Sequence, residues 1–506
     1  MIAIKDYLFL RPMLLSAILT VITVILGYYF KAVLIIMALL FILLLFFVIL
    51  KKPKSVLSVA IIFPILVSFS AMHTLNEIKK ANSLDGKSAK ATFTVTDITY
   101  ESDDYFIATV KIKESDILNK GDKLSFSYYK NTLSIGDTLK ADLKLSKLDD
   151  EYKLNSYSNK IYIMARTSRY TILKGSESFI LKRVDALRQY IKKTLFSNMD
   201  YETAATMSAL TFGEGKYFST EFYTNVKSSG VSHVMVISGM HLSIIVALAT
   251  VFTEKLFYNR FIKAFIILLS VLLMCFLCGF TMSILRAGVT YILYAIAIML
   301  YRKPVGENCL GATVCIIMLV SPFSIFNVAF QLSVLSTFGI FAVAIPVSRF
   351  LSDSKIIKSS FINTVLSAVL VSLSATVMVY PVLIYVYGYI STFSIVTTLL
   401  ISYPVTIAIW ITVTALIINP LCFPLSKALF VACDLIIKYV NYVINTIGTH
   451  PHAVLNAPRG MSVVAFLVII LIFYVMLACK KRIDMLKLNK IIERIKSEGG
   501  EALKWQ

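Results

Sequence analysis

Charge is scarce in this chain. Only 16% of its 506 residues are Asp, Glu, Lys or Arg, 58% are hydrophobic, and the mean hydropathy is +0.78, which excludes an ordinary soluble globular protein. Histidine is scarcer still. The five (His73, His233, His241, His450, His452) form no H-x-H-x-D-H run, so no hydrolytic metal site of that kind is built here. Cysteine is missing from the polar stretch 73–230, which argues against a disulfide framework there. All seven cysteines lie in or beside apolar runs; Cys275 and Cys278 have redox or zinc spacing, but without a partner pair and among Leu, Met and Phe they read as small buried hydrophobes. A phosphate loop is also lacking: GEGKYFST at 213–220 misses the earlier glycine and has Tyr217 where Ser or Thr would hold magnesium. No metal, cofactor or catalytic group is expected, and any driving force must come from elsewhere.

What the chain does have is apolar runs. A helix needs roughly 20 largely apolar residues to cross a bilayer, and such runs recur from Leu14 to Leu477. The first three, at about 12–30, 32–50 and 55–72, are punctuated by Lys31 and by Lys51, Lys52 and Lys54. No small-residue cleavage site precedes the second run, so the first reads as a retained span rather than a signal peptide. Cationic flanks favour the cytoplasmic side. Lys5 and Arg11 then put the N-terminus inside, and the third span delivers residues 73–230 to the outer face. Nine further runs, at about 233–252, 264–280, 282–301, 308–321, 328–348, 362–380, 392–418, 427–447 and 461–479, bring the expected total to about twelve. They place Arg302 and Lys303, Arg349, Lys355 and Lys358, and Lys480 to Arg482 in the cytoplasm. The run 427–447 carries Lys427, Asp434 and Lys438 and suits either a span or an interfacial helix.

Between Lys87 and Leu173 the pattern changes to alternating apolar and polar residues. ATFTVTDITY, YFIATVKIK, DKLSFSYYK, DTLKADLKLS and KIYIMARTSRYTIL predict five short strands, enough to close into an OB-like barrel and hide their edges. Residues 178–198 predict an amphipathic helix with Ile180, Val184, Leu187, Ile191 and Leu195 on its apolar face, followed by short surface helices at about 201–212 and 217–229. The expected organisation is three N-terminal spans (1–72), an extracytoplasmic β domain (73–175), amphipathic and short surface helices (176–230), a helical membrane domain (231–480) and a basic cytoplasmic tail (481–506). The formal charge of +21 is concentrated outside the β domain, which carries only +3 between residues 73 and 175. Membrane flanks account for the rest, so the total by itself does not point to nucleic acid.

Three stretches interrupt the apolar runs with polarity. In SSGVSHVMVISGMHLSIIV (228–246), hydroxyls and glycines fall where a span should be, a cost tolerated mainly where such groups line a water-filled cavity. Ser238 and His241, three apart, share one helical face, and Gly239 permits a break or a close helix contact; a kinked helix bonded to a neighbour is the plainer alternative. Arg286, in CGFTMSILRAGVTYI, needs a partner or an aqueous lumen, unless it snorkels to the interface. In SPFSIFNVAFQLSVLSTFG, Asn327, Gln331 and Ser333 lie among phenylalanines including Phe330, a mixture suited to sliding stacked bases or, equally, to interhelical packing.

The stretch from Ala209 to Val246 resembles the competence signature of the ComEC family of DNA-uptake channels. Gly213 and Glu214, Gly230, Ser232 and His233, and Ile237 through His241 fall on its positions. Arg286 with Ala287 is similar to that family's later R-A, and Pro322 with Phe330, Gln331, Leu332 and Ser333 to its P…FQLS element; with the leading spans and the barrel, the resemblance extends over about residues 20–480. It implies a multi-pass inner-membrane channel that passes one DNA strand inward, with His233, Ser238, Gly239, His241, Arg286, Phe330, Gln331 and Ser333 along its path and an external OB-like domain near the entrance. There, Lys111, Lys113, Lys123 and Lys130 are candidates to contact DNA; Gly213, Glu214 and Gly230 are structural. Many members continue into a metallo-β-lactamase-like nuclease domain that these 506 residues do not contain. A separate DNA receptor, nuclease and cytoplasmic ATPase or helicase are the partners implied, besides single-stranded DNA and membrane lipid. Two other readings compete. An intramembrane serine hydrolase would use Ser238 as nucleophile, but His241 has no acidic residue nearby in sequence to orient it. A transporter of another polymer or a lipid stays open because the β domain is nearly neutral.

Overall fold

The computed structural model describes residues 11–30, 55–101, 106–128, 133–150, 153–167, 169–173, 179–213, 215–235, 238–256, 259–353 and 359–476. The expected span 32–50, the tail 481–506, Glu214 and Lys130 lie outside them. Helix α1 (Pro12–Phe30) packs on α2 (Ser55–Asn82), which runs ten residues beyond the apolar stretch and carries the chain into a separate small barrel. Its strands are β1 (Ser88–Glu101), β2 (Phe106–Ser115), β3 (Lys123–Tyr128), β4 (Thr138–Ser146), β5 (Ile161–Arg166) and β6 (Tyr170–Ile172). Pairing runs β1–β2–β3–β5–β4 and closes from β4 back to β1; only β3 and β5 are parallel. Register shifts along β1 bend this 14-residue strand so that it serves both neighbours. Alternation puts Phe93, Phe106, Leu124, Phe126, Leu139 and Leu143 inside, all essentially without exposure. The fifth expected strand is two, β5 and β6, and β6 adds to β4 as a short edge.

A short helix, α3 (Lys153–Ser158), leads into β5 and docks the barrel. Ser321 Oγ donates to the Ser158 carbonyl at 2.8 Å, Asn327 Nδ2 donates to Asn155 Oδ1 at 2.6 Å, and Tyr157 packs edge-on against Phe323.

Helices α4 (Phe179–Asn198), α5 (Tyr201–Phe212) and α6 (Thr220–Ser228) follow. The expected apolar face of α4 is only half right. Ile191 and Leu195 are buried, but Ile180 is 60% and Leu187 38% exposed, and Arg188 lies inward instead. Arg188 does so because Nη2 donates to the Phe276 carbonyl at 3.2 Å, at the C-terminal end of a neighbouring helix where acceptors and negative dipole coincide. Nor does α5 lie on a surface: nine of its twelve residues, mostly Ala, Thr, Ser and Met, are buried. Small side chains all round let neighbours close in from every direction.

The helical body continues with α7 (Ser232–Met235), α8 (Gly239–Leu256), α9 (Arg260–Leu277), α10 (Met282–Met299), α11 (Gly306–Val320) and α12 (Val328–Gly339). From α12 the chain passes through a π-helical turn (Ile340–Ala344) into α13 (Ile345–Asp353). Then come α14 (Ser360–Tyr387), β7 (Tyr389–Ser391), α15 (Ser394–Ile418), α16 (Phe423–Gly448), β8 (Val454–Asn456) paired to β7, and α17 (Met461–Met476). Among the described residues, eight helices are long and apolar enough to cross a membrane and three shorter apolar ones accompany them. Large apolar side chains stay exposed along them, Phe265, Leu269, Leu435 and Val463 each above half, as expected of a protein whose outer surface meets lipid rather than water.

Helix α16, the segment with two readings, lies along α5 and α6. Asp434 accepts from the Asp200 amide at 3.1 Å and from the Thr203 hydroxyl, Thr206 donates to Asn441 at 3.0 Å, and Asn225 to Asn445 at 3.0 Å. Both ends of α15 also touch this block, through Ser394 to Gly230 and Asn419 to Tyr190.

Candidate functional site

The break between α7 and α8 has a local cause. Ser238 is the N-cap of α8: its Oγ accepts from the Met240 amide at 3.3 Å, and His241, at the third helical position, turns back so that Nδ1 accepts the Ser238 amide at 3.1 Å. Serine with a side chain three residues on reaching back is the reciprocal logic of a capping box, with histidine in the usual place of Glu or Gln. Ser238 Oγ also lies 3.1 Å from Nδ1. His241 is 1% exposed, and its Nε2 makes no well-formed hydrogen bond among the described residues. No carboxylate bonds to this ring among the described residues, so the pair has the geometry of a helix cap rather than of an oriented base.

The cap presents Gly239 directly to Arg286. A Cβ on Gly239 would overlap Arg286 Nη2 and stand 3.2 Å from the Ala287 Cβ, so only glycine lets the guanidinium lie flat against α8. Arg286 is 8% exposed, and Nε donates to Ser333 Oγ at 3.0 Å, with Ser283 donating to the same oxygen at 3.3 Å. No acidic side chain pairs with Arg286 among the described residues. Four positions from three separate runs thus meet: Ser238 and Gly239 on α8, Arg286 on α10 and Ser333 on α12.

They meet on the wall of a cavity of about 3250 Å³, several times the roughly 300–1,000 Å³ of a small-molecule pocket. Ser232, His233, Ser238, Gly239, Arg286 and Ser333 line it, and His233 is exposed within it. At one end the wall is the barrel: Thr109 and Lys111 of β2, Lys123 and Ser125 of β3, and Lys160 before β5. Lys111 and Lys123 are directly paired across the strands. Burial, and then the charges of Lys160 and Lys111, hold the Lys123 ammonium below the ordinary lysine range. Glu77, Asp97 and Asp122 share this vestibule.

From the barrel inward the cavity follows α14 over its whole length. Ser360, Thr364, Ser367, Val371, Ala375, Val379, Leu383 and Tyr387 all face it at helical spacing. Ser336 and Thr337 of α12 and Thr398 and Ser402 of α15 add further hydroxyls. Beyond Arg286 this wall is rich in hydroxyl groups, without Lys, Arg, Asp or Glu among its described lining residues. That stripe was legible in part as Ser360, Thr364 and Ser367, spaced four and three apart, and reading the run simply as a span missed it.

Other expected positions lie elsewhere. Phe330 has no exposure and packs with Val67, Met282 and Met318, and Gln331 Nε2 donates to the Ile325 carbonyl at 2.7 Å, closing the turn before α12. Neither lines the cavity, because the N-cap at Asn327 turns this face of α12 inward. Lys113 reaches Thr138 of β4 at 3.0 Å, away from the lining formed by Lys111 and Lys123. Gly213 ends α5 with φ +77° in the left-handed region, returning its amide to Ala209. Gly230, also at φ +77°, sits where a Cβ would come within 2.6 Å of Ser391 and Ser394.

Three relatives share parts of this sequence. ComE operon protein 3 of Bacillus subtilis (strain 168) is 25% identical over 65% of this chain and 42% of its own. The uncharacterized protein MG316 homolog of Mycoplasma pneumoniae is 36% identical over 24% of this chain and 31% of its own, and the uncharacterized protein MG316 of Mycoplasma genitalium 28% identical over 36% and 43%. The chain thus spans less than half the length of each of these relatives. No solved structure matches it. The model of the family described as Competence protein matches residues 210–482, the stretch that supplies Ser238, Gly239, Arg286, Ser333 and the hydroxyl face of α14, and the chain belongs to that family, of the ComEC type.

Proposed function

We propose that this protein is a membrane channel that carries single-stranded DNA into the cytoplasm during natural transformation. The observation that supports it is one continuous cavity, which starts against the β2–β3 face of the barrel, passes Arg286 and Gly239, and runs the length of α14, about 42 Å at helical rise. A bilayer's hydrocarbon core is about 30 Å thick. On this reading the barrel is an OB-like domain on the extracytoplasmic face of the inner membrane. Its closed five-strand order and its use of strands 2 and 3 at the cavity are those of oligonucleotide-binding barrels. Both termini are cytoplasmic and about twelve segments are embedded. A DNA receptor, a nuclease and an ATPase or helicase act as separate proteins.

Arg286, a buried cation with no carboxylate partner among the described residues, draws a phosphate to this part of the wall. The neutral hydroxyls beyond it hydrate the strand without holding it. Bidding for one strong site and many weak ones is how a conduit admits a polyanion and still releases it.

The test is DNA uptake in cells carrying Arg286→Ala or Gly239→Val, with membrane levels of the protein followed in parallel. Uptake should fall at least tenfold at unchanged protein level. Normal uptake in both variants sinks the proposal. The 3.1 Å Ser238–His241 contact is the observation behind one other reading, an intramembrane serine hydrolase; labelling of Ser238 by a fluorophosphonate probe, lost in Ser238→Ala, is the result that reading requires.

A further inference from the structure

We infer that Tyr223, Tyr387 and Tyr389, together with Lys227, form a base-stacking subsite for a single strand at the barrel-side end of the helical body. This rests on the proposed DNA path and adds to it a grip on bases, distinct from Arg286, which addresses phosphate. Tyr223 and Lys227 are four apart on α6, with Lys227 Nζ 4.2 Å from the Tyr223 ring centroid. Tyr387 ends α14 and Tyr389 opens β7; their ring centroids are 6.0 Å apart at 48°. The Tyr223 hydroxyl is within electrostatic range of both.

Two independent chain segments are clamped to make this group. Ser391 Oγ donates to the Ser228 carbonyl at 2.8 Å and Ser394 Oγ to the Gly230 carbonyl at 3.1 Å. With no side chain on Gly230, β7 closes directly on the end of α6. The run α12, π-helical turn and α13 (Val328–Asp353) packs along α14, which begins after only six intervening residues, so the two run antiparallel and Tyr387 lies at the same end as Val328, beside the residues that dock the barrel.

All four side chains line the cavity. Tyr223 is 46% and Tyr387 52% exposed, so their rings are not spent on core packing. Tyr385, 66% exposed, does not line the cavity and is the residue placed for a headgroup-level aromatic belt. Rings facing a polymer's route, with a cation over one of them, are the equipment for sequence-tolerant stacking of bases and contact with the adjoining phosphate.

The experiment uses the full chain in lipid nanodiscs and measures binding of an oligothymidylate and of an abasic oligonucleotide of equal length and charge. Wild type should bind the thymidylate more tightly. Tyr387→Ala with Tyr389→Ala should weaken thymidylate binding roughly tenfold or more, leave abasic binding unchanged, and so bring the two together. The paired Tyr→Phe variant, which keeps the rings, should bind as wild type. Equal losses for both oligonucleotides, or no loss in the Ala variant, overturn the inference, as does a wild type that binds both equally while still binding. A wild type that binds neither overturns the DNA reading itself and this subsite with it.

Discussion

Arg286 is buried near the start of the apolar helix α10 with a serine and a glycine for company, an arrangement that works against stability. A central arginine costs about 2.5–3.5 kcal/mol on insertion scales, and Ser333 supplies only one neutral hydrogen bond. Arg286→Leu should therefore raise the thermal midpoint of the purified protein while abolishing uptake; a midpoint that falls by several degrees would mean the guanidinium is structural. Lys123, in the vestibule beside the barrel, is a further residue whose surroundings disfavour its charge. Its lowered pKa means the ammonium is protonated below that value and neutral above it, at a lower pH than an ordinary lysine. A phosphate bound beside it would raise the pKa again. Affinity for single-stranded DNA should then decline as pH rises toward and through the Lys123 pKa, and Lys123→Arg, charged throughout, should flatten that decline in the same titration.

Among the elements, α14 is both a span by composition and a polar wall by one face. Replacing Ser360 and Thr364 together by Leu keeps the helix and its lipid face, since both are exposed positions of the cavity lining, but dries part of the wall. Uptake should fall several-fold with little change in thermal stability. A matched pair of Leu substitutions on the opposite, lipid-facing side is the control and should be silent. Helix α16 makes the opposite case, polar groups that serve structure. Asp434 accepts from the Asp200 amide and the Thr203 hydroxyl and pairs with Lys438 at 2.9 Å. Asp434→Ala leaves those donors without their acceptor, and should cost about 1–3 kcal/mol, read as a lowered thermal midpoint. Asn at 434 should restore part of it.

The molecule as a whole holds a large cavity inside its helical body, lined at positions that composition alone assigns to lipid. Val371 and Leu373 lie two residues apart on α14 and are almost equally exposed, 38% and 41%, yet only Val371 lines the cavity. In a background lacking the exposed Cys422, a water-soluble maleimide should label Val371→Cys and spare Leu373→Cys, because thiolate forms only where there is water. Equal labelling would mean the cavity is not a separate aqueous space. Much of this was readable along the chain. Hydropathy located nearly every apolar helix, because burial of backbone polar groups in lipid demands long apolar runs, and period-two alternation located the barrel strands. The polar interruptions at Ser238, Arg286 and Ser333 were visible as breaks in those runs. Long-range juxtaposition was not visible: that Gly239 makes room for Arg286, that Phe330 faces a core while Ser333 faces the cavity, and that α5 is buried on all sides. Those are set by which helix faces meet, and a pattern with a period of 3.6 states only that a helix has two faces, never which neighbour each one finds.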